Sequence, residues 1–315
     1  MARRAIVLMN LGGPDSPAAV RPFLVNLFSD PAIIDLPAPL RWILARLIAW
    51  RRAKIAMDIY DHLGGGSPLL ANTQTQARTL EAELGNDDRC FVAMRYWHPL
   101  TEATVAAVRV WQPDEIVCLP LYPQFSTTTT ASSLAAWRRE AARQGLACPT
   151  RSIDSYPTAP GFIAALTGLI GPALDEAQKS HKTRLLLSAH GLPLKIVRAG
   201  DPYPEQVAQT SAAVVAALGQ ADFDWVTCYQ SRVGPLAWLG PATDDEIRRA
   251  GREGVALVVA PISFVSEHSE TLVELDRDYR RVAEESGVPA YYRVPTVGTD
   301  PRFISALAGL IGAAG

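Results

Sequence analysis

Alternation of strand-like and helix-like segments predicts an α/β protein: two similar lobes, each a parallel β-sheet flanked by helices. Three observations carry the prediction. Short apolar runs rich in β-branched or aromatic residues end in turn residues at 5–9, 90–95 and 115–121, and again at 183–189, 225–229, 255–262 and 291–294. Each has the length of a strand buried on both faces. Between them, apolar residues recur at helical spacing in 68–84, 102–111, 204–218 and 244–253. The two halves also echo one another. Residues 115–121 and 256–262 both end at an apolar residue flanking proline, then run into an aromatic and a serine (Phe125-Ser126; Phe264-Val265-Ser266).

The length agrees. At about 100–200 residues per domain, 315 residues suggest two domains or one large α/β unit. Hydrophobic residues at 48% and charged residues at 20% exclude wholesale disorder. A formal charge of −2 argues against a nucleic-acid partner held by phosphate neutralisation. Cys90, Cys118, Cys148 and Cys228 are scattered without a CxxC pair, as expected of a reduced, cytoplasmic protein lacking a disulfide framework. No apolar run approaches the ~18–20 residues of a membrane span.

Taken in order, residues 5–9 form a run too short for a signal peptide, and the turn Asn10-Leu-Gly-Gly-Pro14 follows. Its glycines permit close backbone approach to a ligand. Residues 37–54 read as a helix with Leu40, Ile43, Leu44, Leu47 and Ile48 on one face and Trp42 and Trp50 nearby. Arg41, Arg46, Arg51, Arg52 and Lys54 surround it. Such a surface suits a membrane interface or a large flat ligand, and equally a core helix with arginines at its rim. Gly64-Gly-Gly-Ser-Pro68 lacks the Lys-Ser/Thr of a P-loop. Pro149, Pro157 and Pro160 place the lobe boundary in 149–160. The expected division is therefore 1–155 (with an apolar lip at 36–54), 156–299, and a terminal helix in 300–315 packing back on the first lobe.

Chemistry is expected beyond the carboxyl ends of the strands, where ligands of open α/β sheets bind. Residues 184–190 deliver His190 to a strand end before Gly191 and Pro193 break the chain. An imidazole there can take a proton near neutral pH or bind a borderline metal. After the strand 255–262, Ser266 reads as a helix N-cap. At ~100° per residue, Glu267, Glu270, Glu274 and Asp278 share one side of that helix, and Leu272, Leu275 and Tyr279 the other. With His268, this stripe can pass protons or a hard divalent cation, or be a solvated acidic face.

Five stretches together identify a family. Leu8-Met-Asn-Leu-Gly-Gly-Pro14, Met94-Arg-Tyr-Trp-His-Pro-Leu100 and Leu187-Ser-Ala-His-Gly-Leu-Pro193 are three. Gln230-Ser-Arg-Val-Gly-Pro-Leu-Ala-Trp-Leu-Gly-Pro241 and Pro261-Ile-Ser-Phe-Val-Ser-Glu-His-Ser-Glu-Thr-Leu-Val-Glu-Leu-Asp276 are the others. The chain resembles the ferrochelatases, which insert ferrous iron into protoporphyrin IX to form protohaem. The resemblance implies two Rossmann-like lobes with the porphyrin in a cleft between them. It implies His190 as active-site histidine and Glu270 as its partner, both also candidate metal ligands. Glu267, His268, Glu274 and Asp278 become a proton or metal path, on a helix of π-type geometry. Asn10, Leu11, Arg95, Tyr96, Ser231, Val233 and Trp238 match residues that line or close over the macrocycle, and 36–54 the lip through which it enters. His190 is either the pyrrole proton acceptor or the last ligand of the metal.

Iron is expected as substrate, with no cofactor required. Relatives with a [2Fe–2S] cluster use a cysteine where this chain has Thr127, so no cluster is expected. A monomer, with peripheral contact at the inner face of a membrane, completes the expectation. The alternatives are a chelatase for another tetrapyrrole or metal (coproporphyrin iron, or cobalt or nickel sirohydrochlorin) and a two-lobed solute-binding or haem-carrier protein.

Overall fold

A computed structural model describes residues 3–219 and 223–313. The chain divides into two compact units, Met1–Ser155 with Leu307–Gly315, and Tyr156–Ala306.

In the first unit, β1 (Arg4–Asn10), β2 (Asp88–Met94), β3 (Glu115–Pro120) and β4 (Thr150–Ser152) form a parallel sheet in the order β2-β1-β3-β4. Ala5, Ile6, Val7 and Leu8 of β1 have no exposed surface, because helices cover both faces of a central parallel strand. The helices here include α1 (Val20–Phe28), α2 (Ala38–Asp61), α3 (Leu69–Leu84), α4 (Thr101–Trp111) and α5 (Thr130–Arg143). Val105 and Val108 of α4 and Leu134 and Trp137 of α5 pack on Ala5, Val7 and Met9.

In the second unit, β5 (Thr183–His190), β6 (Asp224–Gln230), β7 (Ala256–Pro261) and β8 (Tyr291–Arg293) repeat that design in the order β6-β5-β7-β8. Its helices include α6 (Pro160–Gln178), α7 (Leu194–Arg198), α8 (Tyr203–Leu218), α9 (Thr243–Glu253), a π-helix (Glu270–Asp278) and α10 (Tyr279–Glu285); α11 (Pro301–Ala313) begins here and belongs to the first unit from Leu307 on. Every strand read from the sequence is present to within two residues. The short polar strand β4 lies inside the proline-rich stretch that reads as a boundary. Arg151 Nη2, next to its middle, donates to the Ile311 carbonyl of α11 at 2.6 Å.

Two expectations need correction. The helix expected to start at Ser266 starts three residues later: its N-cap is Ser269, so Glu267 and His268 lie before it. Its interior is π-helical, so residues five apart stack. Tyr279, placed by α-helical spacing opposite the acids, therefore reaches Glu274, donating to Oε1 at 3.0 Å.

Candidate active site

β5 ends in His190, opposite Gln230 at the end of β6. The His190 side chain stays 40% exposed while the strand behind it is buried, so the ring is accessible on a rigid mount. Its Nδ1–H donates to the Gly191 carbonyl at 2.6 Å. That bond leaves Nε2 as the nitrogen with a lone pair in the neutral ring. The Tyr203 hydroxyl donates to the His190 carbonyl at 3.0 Å and lies 3.0 Å from Ser263 Oγ, fixing the strand end from below.

Glu270, at the start of the π-helix, stands between two imidazoles. Oε1 is 3.7 Å from His190 Nε2 and Oε2 is 3.5 Å from His268 Nε2. His268 is buried, its Nδ1 is 3.0 Å from the Ser266 carbonyl, and Phe264 packs on it at 4.7 Å between ring centroids. Burial opposes the charged form of His190, but the Glu270 carboxylate outweighs it and pushes the imidazole up to about 9. Burial likewise opposes ionised Glu270, yet His190 and His268 hold it well below the usual carboxylate range. The resting pair is therefore imidazolium and carboxylate at neutral pH.

Glu274 is held differently. Oε1 accepts from the Ser231 N–H at 2.8 Å and from Tyr279; Oε2 accepts from the Ser231 hydroxyl and from Gln230 Nε2 at 3.2 Å. Burial, then the charge on Glu270, raises its pKa. Gln230 also donates to the Glu270 carbonyl at 2.9 Å and accepts from Ser188 Oγ at 2.9 Å, tying the sheet to the π-helix. Ser231 sits at φ +61°, a left-handed conformation uncommon outside glycine, held there by these bonds to Glu274.

The remaining expected residues separate. Glu267 does not join the acidic line: it pairs with Arg293 at 2.6 Å and accepts from the Thr296 N–H, since it precedes the helix and points to the loop after β8. Asp278 is half-buried at the far end of the π-helix. Val233 is 45% exposed and Trp238 half-buried. In the first unit, Asn10 is buried: Nδ2 donates to Thr73 Oγ1 at 3.1 Å and Oδ1 accepts from the Leu11 N–H at 2.8 Å. Leu11 is half-buried. Tyr96, expected at the macrocycle surface, is only 1% exposed and donates its hydroxyl to Asp30 at 2.7 Å. Arg95 pairs with the same carboxylate at 2.6 Å and donates to Ser132 at 2.8 Å. Asp30 is a lone aspartate with no motif around it. Tyr203 has no motif around it, and Gln230 opens the stretch 230–241 without a chemical signal of its own; Tyr279, opposite the acids at α-helical spacing, is brought to Glu274 by the π-helix.

The lip resolves toward a surface. On α2 the small residues Ala45 and Ala49 face inward, since only they allow close helix approach, while Leu40, Trp42, Ile43, Leu47, Trp50 and Ile55 are all 46–64% exposed. Arg46 stacks on Trp42 at 3.7 Å. Clustered exposed apolar side chains of this kind are what interaction surfaces present. Among the described residues no helix is long and apolar enough to cross a membrane.

Comparison with known proteins shows the family of the chain. A family model described as Ferrochelatase matches residues 3–314. The chain is 57% identical over 309 residues to a ferrochelatase of Phenylobacterium zucineum (strain HLK1), covering 96% of this chain and 89% of the relative. It is 54% identical over 309 residues to one of Caulobacter vibrioides (strain NA1000 / CB15N), covering 96% and 88%. Among solved structures, the sirohydrochlorin chelatase SirB of Bacillus subtilis subspecies spizizenii, in complex with cobalt, superposes with TM-score 0.56 at 10% identity, covering 98% of this chain and 94% of that one. CbiX, the terminal enzyme of sirohaem biosynthesis in denitrifying bacteria, gives 0.51 at 16%, covering 99% of each. Those two likenesses concern the fold alone.

Proposed function

The chain belongs to the ferrochelatase family, whose members insert ferrous iron into protoporphyrin to form protohaem, and from that premise we propose how its own residues carry the reaction. Iron is the substrate, and no resident cofactor is required.

A free-base porphyrin holds two pyrrole N–H protons inside a planar ring, and both must leave as the metal enters. His190 Nε2 is the acceptor. The supporting observation is the pair of contacts on its ring: Nδ1–H committed to Gly191, and Glu270 Oε1 3.7 Å from Nε2. A carboxylate there stabilises the imidazolium formed on proton uptake. This favours the proton role over the ligand role, because a metal ligand must stay deprotonated. The resting imidazolium must first discharge its own proton, and must do so again between the first and second pyrrole protons; its ring is 40% exposed, so bulk water takes the proton each time, while Glu270 stays ionised beside it. Glu274 already accepts from four donors, so a proton reaches it only by displacing one; we assign it to holding Ser231 and the π-helix start. Val233 and Trp238, in the same unit as His190, are the proposed apolar contacts to the ring. Contacts that grip the ring edge can favour a bent macrocycle, drawing on remote binding energy.

The test is anaerobic: protein, protoporphyrin IX and Fe²⁺ or Zn²⁺, following the free-base spectrum. Conversion above the uncatalysed rate is expected, and its absence would reject the enzyme reading. For α2 we propose peripheral contact with an anionic membrane. Trp50→Ala with Leu47→Ala should lower co-sedimentation with anionic liposomes several-fold, since each large apolar side chain buried is worth about 1.5–3 kcal/mol. Equal recovery of native and variant chains would remove the membrane role. A monomer lacking a [2Fe–2S] cluster remains our proposal; stoichiometric acid-labile sulfide in anaerobically purified protein would contradict the latter.

A further inference from the structure

Gly191 lies at a crowded point. A β-carbon there would meet the Gln230 carbonyl at 2.8 Å, Arg232 Cγ at 3.2 Å and Trp238 Cε3 at 3.3 Å. The aliphatic stem of Arg232 and the Trp238 ring therefore rest together on the residue that receives the His190 Nδ1–H. Their placement is secured from several directions. Pro193 and Trp238 form an antiparallel bridge. The Leu194 N–H donates to the Ala237 carbonyl at 2.8 Å, and the Leu239 N–H to the Leu192 carbonyl at 3.0 Å. Ser231, the preceding residue, is clamped by Glu274.

Beyond that stem Arg232 is exposed, and among the described residues it has no hydrogen bond or ion pair. A guanidinium held by its stem yet lacking an anion is an anion receptor in waiting. Arg95, also among the residues expected at the macrocycle, is already committed to Asp30.

Resting on the ferrochelatase reading, we propose that Arg232 is a specificity-determining residue that receives one of the carboxylates on the rim of the porphyrin as the ring seats over His190. Protoporphyrin carries two propionates at its edge, ionised at neutral pH. A planar guanidinium binds a carboxylate with two parallel N–H···O bonds, which fixes orientation as well as adding attraction. One rim contact beside His190 sets the rotation of the ring over the histidine. The site is at the protein surface, so its attraction is screened by salt.

The experiment compares the native chain, Arg232→Ala and Arg232→Lys on protoporphyrin IX and on its dimethyl ester, which lacks the charges. Metal-free binding is read by fluorescence quenching, and turnover by steady-state kinetics with Zn²⁺. Arg232→Ala should weaken binding of the diacid by about 5- to 20-fold, the range between an exposed ion pair and a charge-assisted bond. The KM should rise by more than kcat falls, and Arg232→Lys should recover part of the loss. Native and Arg232→Ala chains should bind the ester alike. Unchanged diacid binding, or equal weakening on diacid and ester, would overturn the assignment. The binding arm involves neither metal nor turnover, so it reads Arg232 separately from the chelatase chemistry, which native turnover tests.

Discussion

The two units share one design and use it for opposite ends. Each sheet has the same strand order and only parallel pairs. In each, an arginine in the first two residues of the first strand pairs with an aspartate on the neighbouring strand: Arg4 with Asp88, Arg184 with Asp224. In each, an N–H at the end of the second strand donates to the carbonyl of a proline downstream, Met94 to Pro99 and Tyr229 to Pro241. The divergence lies at the carboxyl ends. β1 ends in Asn10, whose amide is satisfied internally by Thr73 and the Leu11 N–H. β5 ends in His190, which faces outward. After β2 comes Arg95, neutralised by Asp30 and anchored on Ser132 of α5. After β6 comes Ser231, which binds Glu274 of the π-helix. One unit closes its polar network on itself; the other leaves an imidazole and a carboxylate at the surface. Reactivity on a duplicated scaffold thus follows from which strand-end groups remain unspent, a property of side chains rather than of fold.

The sharpest way to break this contrast is to exchange the loss. His190→Ala should lower kcat by about 10²- to 10⁴-fold, the usual worth of a general base, while leaving metal-free porphyrin binding largely intact. Asn10→Ala, at the matching place in the other sheet, should lower it less than tenfold. Similar losses in the two variants would show that both strand ends carry chemistry. Next in size is the closed network. Asp30 is 4% exposed, and Ser132, the Ala32 N–H, Arg95 and Tyr96 overcome its burial to keep its pKa low. Asp30→Asn strands Arg95 without a counter-charge and should cost about 3 kcal/mol in urea unfolding. A change under 1 kcal/mol would mean the network is not what holds the first unit's strand ends.

That contrast also explains what was legible in the sequence. The strands were legible because a doubly covered strand is continuously apolar, and His190 because it interrupts such a run. β4 was not: Thr150-Arg-Ser152 is an edge strand of three polar residues, with no pattern to read. The outward face of α2 was legible only as one of two readings, surface or core, because a large apolar stripe suits both; the packing of Ala45 and Ala49 shows that the small residues face inward. The acidic line was half legible. Glu270 and Glu274 are where a helical stripe puts them, but an α-helical period cannot predict π geometry. Glu267, counted into the same stripe, belongs to Arg293. Asp30 was invisible, since its partners come from segments 65 and 102 residues away.

The open pair has a pH signature that the closed network lacks. His190 must be neutral at Nε2 to accept a pyrrole proton, and Glu270 raises its pKa to about 9. In the free enzyme kcat/KM should therefore climb as pH rises toward that value. Glu270→Gln removes the anion, and the rising limb should move down by about one to two pH units, toward the ordinary histidine value. The sign is fixed: loss of a neighbouring negative charge can only make imidazolium a stronger acid. Stability follows the same pair in reverse. The raised histidine stabilises fully below its ordinary pKa of about 6.5 and loses this as pH rises through about 9. The lowered glutamate stabilises above its ordinary value of about 4.3 and loses this on acidification. A limb that stays in place in Glu270→Gln would separate the two groups.

The smallest effect separates backbone from side chain at Ser231. Two substitutions there remove the same hydroxyl bond to Glu274, which as a bond to a charged group is worth about 1.5–3 kcal/mol. They differ in the backbone. Alanine must still adopt φ +61°, whereas glycine does so freely. A left-handed conformation costs an L-residue roughly 1–2 kcal/mol. Ser231→Gly should therefore be more stable than Ser231→Ala by about 1 kcal/mol, part of the gain being lost to the greater freedom of glycine in the unfolded chain. The reverse order would mean that the Ser231 backbone carries no strain, so that Glu274 holds only a side chain. The ordering can be read from urea midpoints alone, because neither variant alters the surface exposed on unfolding enough to change the slope.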